Sequence, residues 1–202
     1  MLMSSVQTTQ TEIYTHRLEA LETLWWKKLL PVQAPYKWNL KRLNLGFVLD
    51  IGCGIGRNLK NLDGNGVGLD HNPNSVSLCR LRGFQAFTPE DFHSSAFSRL
   101  ERFDSILVAH VLEHLNYQEQ KNLLLEYLPY LKKGGKVVLV TPQERGYASD
   151  STHVSFVTNK EMSQLASELG LEVIKDYSFP FPRSFGKIFI YNEFVLVLQQ
   201  KN

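Results

Sequence analysis

Three glycines alternate with other residues after a short apolar run, and an aspartate stands two residues before the first of them. The stretch from Val48 to Asn58 reads VLDIGCGIGRN, so Asp50, Gly52, Gly54 and Gly56 make the pattern D-x-G-x-G-x-G. Glycine permits a positive φ and lets the backbone approach a bound molecule closely, because it has no Cβ. The pattern therefore predicts a ligand-binding turn that follows a buried strand.

The spacing of these glycines distinguishes between the known types of glycine-rich ligand-binding loop. A dinucleotide-binding fingerprint requires G-x-G-x-x-G, and Arg57 stands where the third glycine would be when counted from Gly52. A Walker loop ends in Gly-Lys-Ser/Thr, whereas Gly56 is followed by Arg57 and Asn58. An NAD-binding oxidoreductase is weakened as a hypothesis, and a Walker loop is excluded.

Apolar runs alternate with amphipathic ones along the chain, as strands and helices do in an α/β sheet. Strands are predicted at 47–51, 66–69, 85–87, 105–109, 136–141, 172–178 and 187–198. Helices are predicted at 12–30, 56–62, 74–82, 95–100, 117–131 and 159–169. The pair Gly134 and Gly135 is interpreted as the stop signal of the helix over 117–131. The last two strands are predicted to form an antiparallel hairpin.

Composition limits the classes of function. The 202 residues favour one domain, and 22 basic against 20 acidic residues leave a net charge of only +2, so no nucleic-acid partner is expected. The first residues lack the layout of a signal peptide, and no apolar run is long enough for a spanning helix, so we expect a cytoplasmic protein without a membrane partner. Cys53 and Cys79 are predicted to be reduced thiols. The oligomeric state is left open.

Four motifs in order give the sequence a resemblance to the class I S-adenosylmethionine-dependent methyltransferases. They are the glycine loop, GVGLDHNP with Asp70, FDSILVAHVLEHL from Phe103 to Leu115, and LKKGGKVVLVTP from Leu131 to Pro142. The segment from Asp150 to Val173 is similar to the one after the fifth strand in small-molecule members, including quinone O-methyltransferases. The resemblance implies a Rossmann-like, doubly wound, seven-stranded mixed sheet over residues 46–202 and a helical extension over 1–45.

The resemblance also implies where S-adenosylmethionine would bind. Asp70, after the second strand, would accept hydrogen bonds from the ribose hydroxyls, and His71 would lie against the adenine. In TPEDF, Asp91 would accept from the adenine amino group while the Phe92 backbone meets the ring, with Glu90 as the alternative to Asp91.

The remaining predicted contacts involve the methionine end of the cofactor. Asp50 would hold the glycine loop or face the ligand's ammonium through water, and Ala109 and His110 would border the methionine part. The full predicted cofactor set is Asp50, Gly52, Cys53, Gly54, Gly56, Asp70, His71, Asp91, Phe92, Ala109 and His110.

Methyl transfer from a sulfonium requires alignment of a nucleophile with the methyl group, and a protic acceptor also needs a general base. Histidine suits that task. His153, in the loop after the fifth strand, is the first candidate, with His110 and His114 behind it; a loop-pinning role is the alternative for His153. Similar quinone methyltransferases use an acid and histidine at the positions of Glu113 and His114 in a metal site. Because His110 stands where they carry another acid, no metal is predicted.

The predicted acceptor is a small molecule with an oxygen, nitrogen or carbon nucleophile, and the predicted product is S-adenosylhomocysteine. Aromatic residues of the leader either cover the acceptor or pack on the domain: Trp25, Trp26, Tyr36 and Trp38. The stretch PFPRSF, with Tyr147 and Phe156, either lines an acceptor pocket or forms an ordinary turn, and Arg145 and Arg183 either meet an acidic substrate or are solvated. A noncatalytic scaffold with this fold is the alternative class of function.

Overall fold

A seven-stranded mixed sheet forms the centre of the computed structural model, which describes residues 33–200. The strands are β1 (Val48–Ile51), β2 (Gly66–Leu69), β3 (Ala86–Phe87), β4 (Phe103–Ala109), β5 (Leu131–Pro142), β6 (Leu171–Phe179) and β7 (Glu193–Gln200). Their order is β3-β2-β1-β4-β5-β7-β6; β1 to β5 are parallel, and β7 is antiparallel to both β5 and β6. The predicted doubly wound mixed sheet and the final antiparallel pair are confirmed.

Helices connect the strands, and several begin at residues with strong capping side chains. They are α1 (Ala34–Arg42), α2 (Arg57–Asn61), α3 (Pro73–Leu81), α4 (Pro89–His93), α5 (Tyr117–Tyr127), α6 (Glu144–Tyr147) and α7 (Asn159–Glu168). Asn116 and Thr158 form capping boxes before α5 and α7 with Glu119 and Glu161. Short 3₁₀ helices occupy Leu112–His114, Leu128–Tyr130 and Arg183–Lys187.

The central strands are buried on both faces. Successive side chains of a strand point to opposite sides of the sheet, and an apolar cluster covers each side. One apolar cluster lies between the sheet and α1 and includes Leu40, Val48, Leu107 and Val138. The other lies on the opposite face and includes Leu49, Ile106, Leu124, Leu139 and Met162. The site-bearing strands are thus held from two sides.

Three sequence-based elements were wrong. No helix covers 95–100 in the described chain; a one-turn helix instead begins after Thr88, whose hydroxyl accepts from the Asp91 N–H at 3.2 Å. The helix over 117–131 ends at Tyr127, since Pro129 cannot continue it, and the pair Gly134 and Gly135 lies within β5. The last strand begins only at Glu193 rather than at 187.

The predicted leader helix over 12–30 lies outside the described residues, so the division at residue 45 stays a prediction. Within 33–200, none of the helices has both the length and the apolar character required to cross a bilayer.

Candidate active site

The carboxyl ends of β1, β2 and β4 meet at one edge of the sheet. The chain leaves β1 towards β2 on one side, while β4 pairs with β1 on the other, so the direction of strand progression switches between β1 and β4. In open α/β sheets, ligands bind in the crevice at such a switch point. The glycine loop follows β1, Asp70 follows β2 and His110 follows β4, which brings the predicted cofactor residues to this crevice.

The glycine loop adopts a conformation that other residues tolerate poorly. Gly52 has φ +73°, and a Cβ placed on it would lie 2.2 Å from Cγ2 of Val111. Gly56 has φ +87°, and its Cβ would lie 2.8 Å from the Cys79 Sγ. Cys53 and Cys79 are both free and buried. Glycine is therefore required here by backbone conformation and by close packing.

Asp70 ties the two neighbouring turns together. Its Oδ2 accepts a hydrogen bond from the Gly54 N–H at 2.8 Å, and its Oδ1 accepts from the Asn72 N–H at 2.9 Å. Burial raises the pKa of this carboxyl, against the effect of these two hydrogen bonds. Each carboxylate oxygen has a second lone pair, so Asp70 can fix the loop and still accept from a bound diol.

Asp50 lies beneath the loop rather than on its surface. It is fully buried; its Oδ1 accepts from Asn58 Nδ2 at 3.3 Å, and its Oδ2 has no hydrogen-bond partner among residues 33–200. Burial raises the pKa of Asp50 to about 7, although the Asn58 hydrogen bond opposes this rise. A buried carboxyl with one unused oxygen is suited either to keep a proton or to face a cation.

The residues predicted for adenine lie at α4. Asp91 is exposed in the first turn, with its Oδ2 3.3 Å from Nη2 of Arg80. The Phe92 ring is fully buried against Phe103 and Tyr130, so only its backbone is placed to meet a ligand. His71 is exposed beside Asp70. Their contacts with adenine stay predictions.

His110 is held between two carboxylates. It has φ +60°, which is uncommon for a residue with a side chain. Its Nδ1 lies 3.2 Å from Glu113 Oε1, and its Nε2 lies 2.8 Å from Glu193 Oε1. Because both acceptors are carboxylate oxygens, both ring nitrogens must carry hydrogen to make both bonds. Burial opposes the charged form, but the bonds to Glu113 and Glu193 outweigh it and raise the pKa of His110 to about 9.

This arrangement determines whether His110 can act as a general base. An imidazolium whose two N–H groups both donate hydrogen bonds has no lone pair with which to accept a proton. Sequence reasoning did not find Glu193, which lies 83 residues from His110 and reaches it only because β7 begins beside the end of β5. No local sequence signal marks Glu193 as a partner.

His153 lies in the loop after α6, anchored by the helix before it. Its Nδ1 is 2.7 Å from the backbone oxygen of Tyr147, and its ring stacks on the Tyr147 ring with centroids 5.3 Å apart. The His114 ring lies edge-on to it at 4.8 Å. Donation from Nδ1 leaves the Nε2 lone pair of a neutral imidazole available. The loop-pinning bond and the base chemistry are compatible.

Glu113, His114 and His153 form a group that can offer one oxygen and two nitrogens to a metal ion. Their potential ligand atoms all lie within 4.8 Å of one another. Glu113 is fully buried, and its Oε2 has no hydrogen-bond partner in the described part of the chain. Burial lowers the pKa of His114, which favours the neutral ring that metals bind. The donor set suits a divalent transition metal, although no metal was predicted.

The predicted acceptor-lining residues border the same edge. The ring centroids of Tyr147 and Phe156 lie 5.0 Å apart. Arg183 makes a two-pronged ion pair with Glu144, so its charge is already neutralised, whereas Arg145 is exposed. Of the leader aromatics, Tyr36 donates its hydroxyl to the Tyr191 backbone oxygen at 2.8 Å. Trp38 is largely exposed, and Trp25 and Trp26 lie outside the described residues.

The strand order, the glycine loop after β1 and the acid after β2 together define the class I methyltransferase fold. The profile of a family described as a methyltransferase domain matches residues 26–176, three quarters of the chain. The chain therefore belongs to this family of S-adenosylmethionine-dependent methyltransferases, which confirms the predicted enzyme class and cofactor.

Solved structures agree on the fold. A putative methyltransferase from Haloferax volcanii, in complex with the activator Trm112, superposes with a TM-score of 0.67 over all of both chains, at 16% identity. Magnesium protoporphyrin IX methyltransferase from Synechocystis, with bound S-adenosylhomocysteine, gives 0.66 at 13% identity over 97% of this chain and 98% of that one.

Two curated relatives are similar over part of the chain. A tRNA U34 carboxymethyltransferase from Pseudoalteromonas translucida is 32% identical over 62% of this chain. The Xenopus tropicalis tRNA (carboxymethyluridine(34)-5-O)-methyltransferase alkbh8 is 35% identical over 46% of this chain. The matches span only 40% and 15% of the lengths of these relatives.

Proposed function

We propose that this protein transfers the methyl group of S-adenosylmethionine to an oxygen, nitrogen or carbon nucleophile of a small molecule and releases S-adenosylhomocysteine. The observation that carries the proposal is the hydrogen bond from the Gly54 N–H to Asp70, which joins the glycine loop of β1 to the acid of β2 at the switch point. A ligand with a ribose diol and an extended, phosphate-free substituent fits such a pair of turns.

The roles proposed for the cofactor residues follow their positions. Asp70 accepts from the ribose, the loop of Gly52, Gly54 and Gly56 faces the cofactor backbone, and Ala109 with His110 borders the methionine part. His71, Asp91 and Phe92 remain the residues proposed for the adenine, while Asp50 and Cys53 support the loop from below. The chain supplies alignment and exclusion of water, which account for most of the catalysis available to this reaction.

His153 is the proposed general base for a protic acceptor. The acceptor atom attacks the methyl carbon, the carbon–sulfur bond breaks with its electrons going to sulfur, and the acceptor's proton moves to the Nε2 of His153. The bond between its Nδ1 and the Tyr147 carbonyl holds the tautomer that this step requires.

The first experiment is isothermal titration with S-adenosylhomocysteine, with NAD as the parallel control. Micromolar binding of S-adenosylhomocysteine alone supports the proposal; binding of neither ligand would favour a noncatalytic scaffold. Turnover is then measured on a panel of phenols, amines and carboxylic acids by release of S-adenosylhomocysteine.

The role of His153 is tested with His153→Asn, because an asparagine amide can replace Nδ1 as a donor to the Tyr147 carbonyl but cannot act as a base. We expect a fall in turnover of about 100-fold or more with unchanged S-adenosylhomocysteine affinity. His93→Asn is the matched control, since His93 pairs with Glu126 and Tyr130 away from the crevice. Retention of full turnover in His153→Asn would leave only the loop-pinning role.

An RNA acceptor is the second candidate, and the names of the two tRNA-directed relatives favour it. The net charge of +2 gives little support for phosphate-backbone binding. Incubation with methyl-labelled S-adenosylmethionine and either total tRNA or the small-molecule panel separates the candidates. Label in tRNA but not in the panel would show that the acceptor is RNA rather than a small molecule.

A further inference from the structure

A small cavity lies beside the place proposed for the methionine end of the cofactor. It is enclosed by α1, the start of α2 and the ends of β4, β5 and β7, and its polar lining includes Tyr36, Arg57, Asn58, His110 and Glu193. The mechanism proposed above uses only His110 from this set. Arg57, which also lines the cavity, has no role in that mechanism.

The two cations of this cavity differ in how they are paired. His110 is saturated, because each ring nitrogen already bonds a carboxylate of Glu113 or Glu193. Arg57 follows Gly56 directly and is exposed, and its guanidinium makes no hydrogen bond or ion pair within residues 33–200. Arg57 itself lines the cavity, and its charge opposes the rise that burial causes in the pKa of Tyr36 and of Asp50. Arg57 is thus the cation available to a ligand here.

Two acidic side chains lie near these cations. Glu193 lines the cavity, and Asp50 lies behind Asn58 with one buried oxygen unused. The amino-acid end of S-adenosylmethionine carries a carboxylate and an ammonium. A cavity lined by a guanidinium that has no partner within residues 33–200, with acidic side chains beside it, is complementary to such a zwitterion. Guanidinium and carboxylate groups also match in shape and form paired hydrogen bonds.

We propose that Arg57 binds the α-carboxylate of S-adenosylmethionine in this cavity and so determines how the methionine end is anchored. The inference rests on the proposed cofactor site and adds to it a residue outside the glycine motif. It also assigns a purpose to the departure from a dinucleotide fingerprint, because the position of the missing third glycine carries the anchoring side chain.

The test compares two ligands that share the adenosine and the sulfur and differ in the amino-acid portion that carries the carboxylate. S-adenosylhomocysteine carries the amino acid, whereas 5′-methylthioadenosine has the adenosine and sulfur without it. Both are titrated calorimetrically into the full chain, the Arg57→Gln and Arg57→Lys variants, and Lys60→Gln. The last is the matched control, because Lys60 is an exposed cation one turn further along α2.

We expect Arg57→Gln to weaken S-adenosylhomocysteine binding by about 10-fold to 100-fold, as loss of a charged hydrogen-bonded pair does, with methylthioadenosine binding unchanged. Arg57→Lys should recover part of the loss, and Lys60→Gln should change neither affinity. Equal weakening of both ligands, or no weakening of either, would overturn the assignment of Arg57. Failure of the unaltered chain to bind either ligand would instead overturn the cofactor site itself.

Discussion

Replacement of Glu193 by glutamine tests whether His110 is held as a cation. The substitution keeps the shape of the side chain and removes the nearer of the two carboxylates, whose Oε1 lies 2.8 Å from Nε2, against 3.2 Å for Glu113 on the other side. An opposite charge at this distance shifts a pKa by about 1 to 3 pH units. We expect the pKa of His110 to fall from about 9 by about 1 to 2 pH units in Glu193→Gln.

The same change has a defined effect on stability. Because the folded-state pKa of His110 is raised above its unfolded value of 6.5, its contribution is fully present below pH 6.5 and is lost as the pH rises through about 9. The rise corresponds to an upper bound of about 3 kcal/mol at about 1.4 kcal/mol per pH unit. Since the His110 side chain is 31% exposed, solvent screening will reduce this figure.

Two measurements check this prediction. Nitrogen-15 NMR of the imidazole rings, with the His110 signal assigned from a His110→Gln sample, gives the pKa directly. Urea unfolding at pH 6.5 and pH 9.5 gives the stability difference, which should be smaller in Glu193→Gln than in the unaltered chain. Glu144→Gln is the control, because Glu144 pairs with Arg183. An unchanged His110 titration in Glu193→Gln would refute the two-carboxylate arrangement.

Three further predictions concern the loop and its acids. Gly52→Ala should lower the free energy of unfolding by about 2 to 4 kcal/mol because of its positive φ and the close Val111 methyl; Gly170→Ala, with φ +70° and an open Cβ position, should lose clearly less in urea unfolding. Asp70→Asn should weaken S-adenosylhomocysteine binding by about 1 to 3 kcal/mol in calorimetry, and undiminished affinity would remove the ribose role. Asp50, with its pKa raised to about 7, favours the fold when protonated, so stability falls by up to about 4 kcal/mol as the pH rises from about 4 to 7; Asp50→Asn should lack this component in pH-dependent urea unfolding.

Local patterns, together with the family resemblance, predicted the two turns that follow β1 and β2. Alternating glycines mark a turn with positive φ, and an acid after a short apolar run marks the end of the next strand. The structure joins the two through the Gly54 and Asp70 hydrogen bond, which no spacing rule states. Parallel order and a shared carboxyl edge were enough to predict that they would be neighbours.

The wrong boundaries share a physical cause. The pair Gly134 and Gly135 can end a helix or allow irregular pairing in a strand, and local propensity does not separate these cases. The ladder between β4 and β5 decides the outcome, since Leu131 already pairs with Phe103 before the glycines are reached. The late start of β7 likewise depends on pairing of Glu193 with Pro142. Both are long-range contacts.

The chemistry of the crevice depends on such contacts as well. His110 and His114 are both histidines and lie only four residues apart, yet the pKa of His110 is raised and the pKa of His114 is lowered. His110 is charged because β7 brings Glu193 to it, while burial leaves His114 neutral beside His153. The edge therefore has a cationic side towards the cavity of Arg57 and a neutral imidazole side. We propose that the first side anchors the cofactor and that the second supplies proton or metal chemistry, so substitutions on the two sides should affect cofactor affinity and turnover separately.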